Sequence, residues 1–168
     1  MISMNQLFFS DNFFSAGRTD IYNSDREMVG ALNLRSAFSS KVEIEDVNGD
    51  VTMEGAFTFF ANKWIVRRKN GDELGYVKMS FTFLSKKFHY FKDGKKFTIT
   101  SPAFSKAYSI TDDSNREVAT FQRTNSYFES ANYELKNMSS NLLAEELISI
   151  IMGVNAFQKN VSVAGAAT

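Results

Sequence analysis

Hydrophobic and polar residues alternate along several stretches of the chain. Val42 and Ile44 alternate with Glu43 and Glu45. Val77, Met79, Phe81 and Phe83 alternate with Lys78, Ser80 and Thr82. Phe97 and Ile99 alternate with Lys96, Thr98 and Thr100. A period of two sends successive side chains to opposite faces of a strand, so these stretches predict a sheet with one dry face and one wet face. Turn signals punctuate them. Asn48-Gly49, Asn70-Gly71 and Asp93-Gly94 stand 22 and 23 residues apart. Asn and Asp tolerate positive φ and Gly supplies it freely, which suits tight hairpins. Polar turns at Asn23-Ser24-Asp25 and Asp112-Asp113-Ser114-Asn115 extend the series in both directions. Five hairpins at near-constant spacing predict an antiparallel sheet of about ten to twelve strands.

The period then changes. Leu142, Leu143, Leu147, Ile148, Ile150, Ile151, Met152, Val154 and Phe157 fall within sixteen residues. Asn141 reads as an N-cap, and Glu145 and Glu146 lie near the positive end of the helix dipole. A helix over about 141–158 would be apolar round most of its circumference, which requires burial on nearly every side or a lipid environment. Glu145, Glu146, Ser149 and Asn155 interrupt it, and a membrane span needs roughly 20 apolar residues, so burial is the expectation. Gly153 either admits a close neighbour or weakens the helix by about 1 kcal/mol relative to Ala. The predicted fold is mainly β: a closed antiparallel barrel of about 12 strands around a central hydrophobic C-terminal helix. One domain over 7–159 is expected, with 160–168 as a flexible tail. The 17 phenylalanines concentrate before residue 129, where a wide interior needs large fillers.

The repeated strand–turn–strand units of Val42–Gly55, Trp64–Val77 and Tyr108–Phe121, followed by the single hydrophobic helix, resemble the tubby C-terminal-domain-like superfamily. Within it the pattern is similar to the LURP-one-related branch, itself similar to the phospholipid scramblases. The resemblance covers roughly Leu7 to Lys159 and implies a twelve-stranded barrel around a central helix. For function it implies little: the tubby proteins bind phosphoinositides and the scramblases are membrane-associated, whereas the small members are mostly uncharacterised. Scramblases carry cysteines for palmitoylation, and this chain has none. No phosphoinositide-site motif matches residue by residue.

Composition narrows the chemistry. The 168 residues suit one domain with an ordinary core. The absence of cysteine excludes disulfides, thiolate nucleophiles and Cys-type zinc sites, and the one histidine excludes any site with two His ligands. Met1–Gly17 lacks the basic start and apolar run of a signal peptide, so the acceptor triplets at Asn137 and Asn160 carry little weight and a cytoplasmic location is expected. Asp46-x-Asn48-x-Asp50 opens like a calcium loop, but the sixth position is Val51 and the twelfth is Phe57, so a hairpin turn is the better reading. His89 lies in Phe88-His89-Tyr90-Phe91 without a local orienting partner, and reads as an exposed or hydrogen-bonded strand histidine. Asp112-Asp113 and Glu145-Glu146 are sequence neighbours whose side chains point apart, not catalytic dyads. No phosphate loop or nucleophile elbow appears. The expectation is a protein that is not an enzyme, with no catalytic residue, no cofactor and no metal.

The charges sum to zero, 19 basic against 19 acidic, but they are not spread evenly. Residues 63–96 hold ten basic and three acidic residues, a balance of +7. Residues 1–62 hold four and nine, a balance of −5, and residues 97–168 hold five and seven, a balance of −2. The Asp93-Gly94 turn is expected to bring Lys86, Lys87, Lys95 and Lys96 near one another. With Arg67 and Arg68 they form the candidate ligand-binding set. Such a patch suits a phospholipid or phosphoinositide headgroup or another polyanion, with the protein peripheral at a membrane surface. It also suits a solvated edge that prevents sheet-to-sheet association. No aromatic–basic nucleic-acid module is visible, so nucleic acid is not an expected partner. The alternative is a protein-interaction or structural scaffold with no small-molecule site.

Overall fold

The computed structural model describes residues 5–34, 41–58, 60, 62–82, 85–102, 105–125 and 132–166. Twelve strands follow one another round the sheet: β1 (Gln6–Ser10), β2 (Gly17–Tyr22), β3 (Met28–Leu34), β4 (Lys41–Glu45), β5 (Val51–Phe57), β6 (Trp64–Arg68), β7 (Glu73–Thr82), β8 (Ser85–Lys92), β9 (Lys95–Thr100), β10 (Tyr108–Thr111), β11 (Glu117–Thr124) and β12 (Asn132–Asn137). All neighbours are antiparallel, and β1 pairs with both β2 and β12, which closes the barrel. A 3-10 turn, Asp11–Phe14, follows β1, and one helix, α1 (Ala144–Ala166), follows β12.

All five sequence-predicted hairpins exist, and they share one rim. At four of them the chain makes a turn with one residue in the left-handed region: Arg26, Gly49, Gly71 and Asn115, with φ between 60° and 93°. The pairing register shifts by one beside each of these four turns, as a bulge requires. Asp93-Gly94 alone takes positive φ at both residues, 49° and 74°, and joins Lys92 directly to Lys95. Three of the bulged turns begin with Asn23, Asp46 or Asp112, whose side-chain oxygen accepts two loop amides each. The Asp46 carboxylate is therefore part of the hairpin, as its missing calcium-loop residues implied.

Twelve strands enclose more space than inward side chains alone can fill, since about eight already suffice for a side-chain-filled interior. Helix α1 occupies that space. Every residue from Ala144 to Asn155 is buried, so this part of the helix is covered on every side. From Ala144 to Phe157 it rises about 20 Å, which matches a strand of about six residues. The helix lies off-centre, closest to β4–β7. The indole of Trp64 on β6 explains this. A Cβ on Gly153 would lie 2.5 Å from Trp64 Cγ and Cδ1, and a Cβ on Gly55 of β5 would lie 2.6 Å from its Cζ2. Both glycines leave room for the ring, and Trp64 Nε1 donates to Ser149 Oγ at 3.3 Å. Aromatic side chains fill the wider gap opposite. Phe9, Phe13, Phe14, Tyr108, Phe121 and Tyr133 pack there, with Phe121 and Tyr133 stacked at 5.1 Å.

The polar residues that interrupt the helix pattern are its attachment points. Glu146 is fully buried; it accepts from Tyr90 Oη at 2.6 Å and from Lys92 Nζ at 2.9 Å, and caps the Leu143 amide at 3.1 Å. Burial and the Glu146 carboxylate push the Tyr90 phenol far above its usual range. Near the opposite rim, Asn155 accepts from Lys106 Nζ at 2.6 Å and Gln158 from Tyr108 Oη at 3.1 Å.

Two helix boundaries differ from the sequence expectation. Asn141 is not the N-cap. Ser139 Oγ takes the amides of Asn141 and Leu142, the Asn141 carbonyl accepts from Lys92, and the helix starts at Ala144. At the other end, the segment expected as a tail from 160 continues as helix to Ala166. The run Val161–Ala166 contains no proline, and adding a residue to an existing helix gains a hydrogen bond without a new nucleus.

Gly153→Ala ordinarily strengthens a helix by about 1 kcal/mol. Here it is expected to lower stability, because overpacking against the indole costs about 1–3 kcal/mol. Urea midpoints measure this, and Trp64→Leu should remove the penalty of Gly153→Ala. Lys92→Met leaves Glu146 buried without its cation and should cost about 3–5 kcal/mol by the same measurement.

Candidate functional site

Strands β8 and β9, and β7 from Gly75 onward, alternate strictly, and their registers decide what faces out. Gly75, Val77, Phe88, Tyr90, Phe97 and Ile99 are buried on the inner side. The outward positions are Tyr76, Lys78 and Ser80 on β7, Lys87, His89 and Phe91 on β8, and Lys96, Thr98 and Thr100 on β9. None of these is acidic. Tyr76 and Phe91 stack at 5.3 Å, and Lys63 Nζ sits 4.2 Å above the Tyr76 ring. An aromatic pair flanked by cations thus lies on the outside of the barrel. The wall before it has the opposite character. Glu43, Glu45 and Glu54 on β4 and β5 face out, bridged by Lys41 and Arg18. The uneven charge blocks of the sequence become an acidic flank and a basic flank of one barrel.

His89 sits at the middle of the basic flank. Its Nε2 lies 2.9 Å from Ser80 Oγ and its Nδ1 lies 3.2 Å from Thr98 Oγ1. Lys78 is directly opposite it on β7. Partial burial, then Lys96, then Lys87, hold its pKa below the ordinary 6.5.

The six sequence-predicted ligand residues do not form one cluster. Lys87 and Lys96 share the outer face with His89 between them. Lys96 pairs with Phe91, four positions from Lys87 on β8, about 13 Å along the strand, so the expected adjacency of the 86–87 and 95–96 pairs does not occur. The Asp93-Gly94 turn closes on Lys92 and Lys95, which leaves Lys87 near the far rim. Lys95 is exposed at the hairpin rim. Arg68 is exposed at the same rim beside its turn. Arg67 faces out on β6 between Glu54 and Glu73, its register partners on either side. The Lys86 backbone pairs with Phe81, at the parity of the inward residues; its side chain lies outside the described residues. Lys63, Lys78, Tyr76, His89 and Phe91 were not in the predicted set. The period-two pattern around a two-residue Asp-Gly turn carries the signal that groups most of them.

At the hairpin rim, β7 and β8 splay apart beyond the Tyr76–Phe91 pair. They leave an open cleft of about 390 Å³ lined by Glu73, Leu74, Lys92, Asp93 and Lys95 among others. Among the described residues no group of three His, Asp or Glu side chains is arranged to hold a metal, and no helix is long and apolar enough to cross a membrane.

The sequence matches no protein-family model and no curated protein. Its fold is similar to the X-ray structure of a protein from Arabidopsis thaliana, with a TM-score of 0.60 and 14% identity over 89% of this chain and 90% of that one. That likeness is one of fold. It spans most of both chains.

A histidine whose pKa is lowered by folding binds its proton less readily than in the unfolded chain. Stability from this source is full above about pH 6.5, falls as pH drops from there toward the folded value, and is level below it. Wild type should therefore lose stability relative to His89→Gln between pH 8 and pH 5, read as the difference in urea midpoints. An equal difference at both pH values would contradict the environment described for His89.

Proposed function

We propose that this protein is a non-enzymatic binding module of the tubby-like superfamily, in its LURP-one-related branch. We assign to the outer face of β7–β9 the recognition of an anionic ligand, with phospholipid or phosphoinositide headgroups as the class it suits best. The observation that carries this reading is the basic, aromatic outer face itself: Lys78, Lys87 and Lys96 around His89, with Tyr76 and Phe91 alongside, the acidic Glu73 standing apart at the hairpin-rim end of β7. Lysines on a flat sheet offer long, mobile cations to a surface, and each contributes about 1 kcal/mol near an anionic bilayer. Half-buried aromatic rings on an outer face suit the boundary between headgroup and water. In this reading the acidic flank would turn away from the membrane and orient the barrel.

A second reading is a protein-interaction scaffold. Met28, Val47 and Met138 are exposed apolar side chains, all at the hairpin rim, and they suit a protein partner better than an anion. A concentration-dependent oligomer lost on Val47→Ser and Met138→Ser would favour it.

Co-sedimentation with vesicles of phosphatidylcholine alone, and with added phosphatidylserine or phosphoinositide, tests the first reading at about 0.15 M salt. Selective binding to the anionic vesicles is expected. The Lys78→Ala/Lys87→Ala/Lys96→Ala variant should bind roughly a hundredfold more weakly at three times about 1 kcal/mol. Arg68→Ala/Lys95→Ala should bind more nearly like wild type. Equal binding by both variants would place recognition elsewhere, and no binding by wild type would retire the lipid reading.

A further inference from the structure

The middle of the basic face is arranged around a group that can change its charge. Ser80 Oγ donates to the Lys87 carbonyl at 3.4 Å, which leaves its lone pairs toward His89 Nε2 at 2.9 Å. In the neutral ring Nε2–H then donates to Ser80, and the Thr98 hydroxyl donates to Nδ1 at 3.2 Å. Protonation of Nδ1 needs only that the Thr98 hydroxyl rotate and accept. Both charge states therefore keep both hydrogen bonds. What opposes the proton is first the partial burial of the ring and then the surrounding charge. Lys78 faces His89 from β7, Lys87 lies on its own strand, and Lys96 lies on β9. Asp113 in the β10–β11 turn accepts from the Lys96 amide at 3.2 Å.

Building on the anionic-ligand reading above, we propose that Lys87, His89 and Lys96, with the hydroxyls of Ser80 and Thr98, form a seat for a tetrahedral oxyanion of the phosphate-ester type, and that His89 takes up a proton when the seat is filled. An anion between Lys87 and Lys96 offsets the lysine repulsion that adds to burial in disfavouring the imidazolium. The same coupling must then act in reverse, so protonation of His89 tightens the anion by the same factor. The low intrinsic proton affinity of His89 in the empty face agrees with this arrangement. The seat would hold its ligand more tightly as pH falls through the histidine range. Each pH unit by which the anion raises the histidine is a tenfold gain. Screening at a partly exposed site reduces this to about three- to tenfold in affinity.

The test uses probes whose own charge is constant between pH 5 and pH 8: sulfate, and vesicles of phosphatidylglycerol with phosphatidylcholine. The chain has one histidine, so one imidazole signal in an NMR titration of the full chain reports His89 directly. In sulfate, against chloride at equal ionic strength, the His89 titration should move to higher pH. Binding to the vesicles should be about three- to tenfold tighter at pH 5.5 than at pH 8 in wild type. In His89→Gln, which takes no proton, vesicle binding should lose this pH dependence, whatever its strength. A shift in sulfate without pH-dependent vesicle binding would assign the seat to a soluble ester; pH-dependent vesicle binding would assign it to a lipid headgroup. An unmoved titration, together with the same pH ratio in wild type and His89→Gln, overturns the proposal. In that case vesicle binding that still needs Lys78, Lys87 and Lys96 leaves the anionic-ligand reading standing, whereas loss of all binding removes both.

Discussion

The indole of Trp64 is wedged between Gly55 of β5 and Gly153 of α1, and its N–H is held by Ser149. Neither glycine can gain a Cβ without displacing the ring, so the helix has one rotation and one depth at which it fits this wall. The rest of the interior depends on that position. With Gly153 at the indole, Glu146 meets Tyr90 and Lys92 near the hairpin rim, and Phe157 packs between Phe57 and Phe88 near the other. The off-centre helix leaves a wide gap on the far side, and the aromatic cluster around Phe121 fills it. A barrel of this width is stable only if the plug and the filler agree in size.

The same position explains how a helix this apolar carries buried polar groups. An unpaired carboxylate in a dry interior costs several kcal/mol, so Glu146 persists because a phenol, an ammonium and an amide converge on it. Ser149, Asn155 and Gln158 follow the same rule with Trp64, Lys106 and Tyr108. These bonds tie the helix to strands β6, β8 and β10 and to the segment before β10. Hydrophobic burial is non-directional, so it cannot choose among sliding positions of an apolar cylinder; directed hydrogen bonds can.

With the inside occupied, the outside of the barrel and its rims are the surfaces left to meet any other molecule. The outer wall is divided electrostatically, with carboxylates on β4–β5 and cations on β7–β9. Because β-strands alternate, the same segments that supply Val77, Phe88, Tyr90 and Ile99 to the core also supply Lys78, Lys87 and His89 to the surface. The core fixes the registers, and the registers fix the spacing of the basic face. Lys87 and Lys96 are therefore held on either side of His89 by the packing of residues that never touch solvent.

The sequence by itself determined an antiparallel sheet of about ten to twelve strands and a buried helix, because each rests on local chemistry: positive-φ residues at turns, period-two alternation, and an apolar run too short and too interrupted for a bilayer. It also determined that charge is concentrated in residues 63–96. What only the tertiary structure decided are the facts that depend on which atoms meet. The role of Gly153 was undetermined until Trp64, 89 residues earlier, was seen against it. Asn141 reads as a cap, but Lys92 and Ser139 claim its backbone. Lys86 and Lys87 look adjacent to Lys95 and Lys96 because the turn reverses the chain, yet a two-residue turn pairs Lys92 with Lys95 and carries Lys87 about 13 Å down the strand from Lys96. Propensity and period act over a few neighbouring residues, whereas a binding face is assembled across strands by register, and register is set by the packing of the whole barrel.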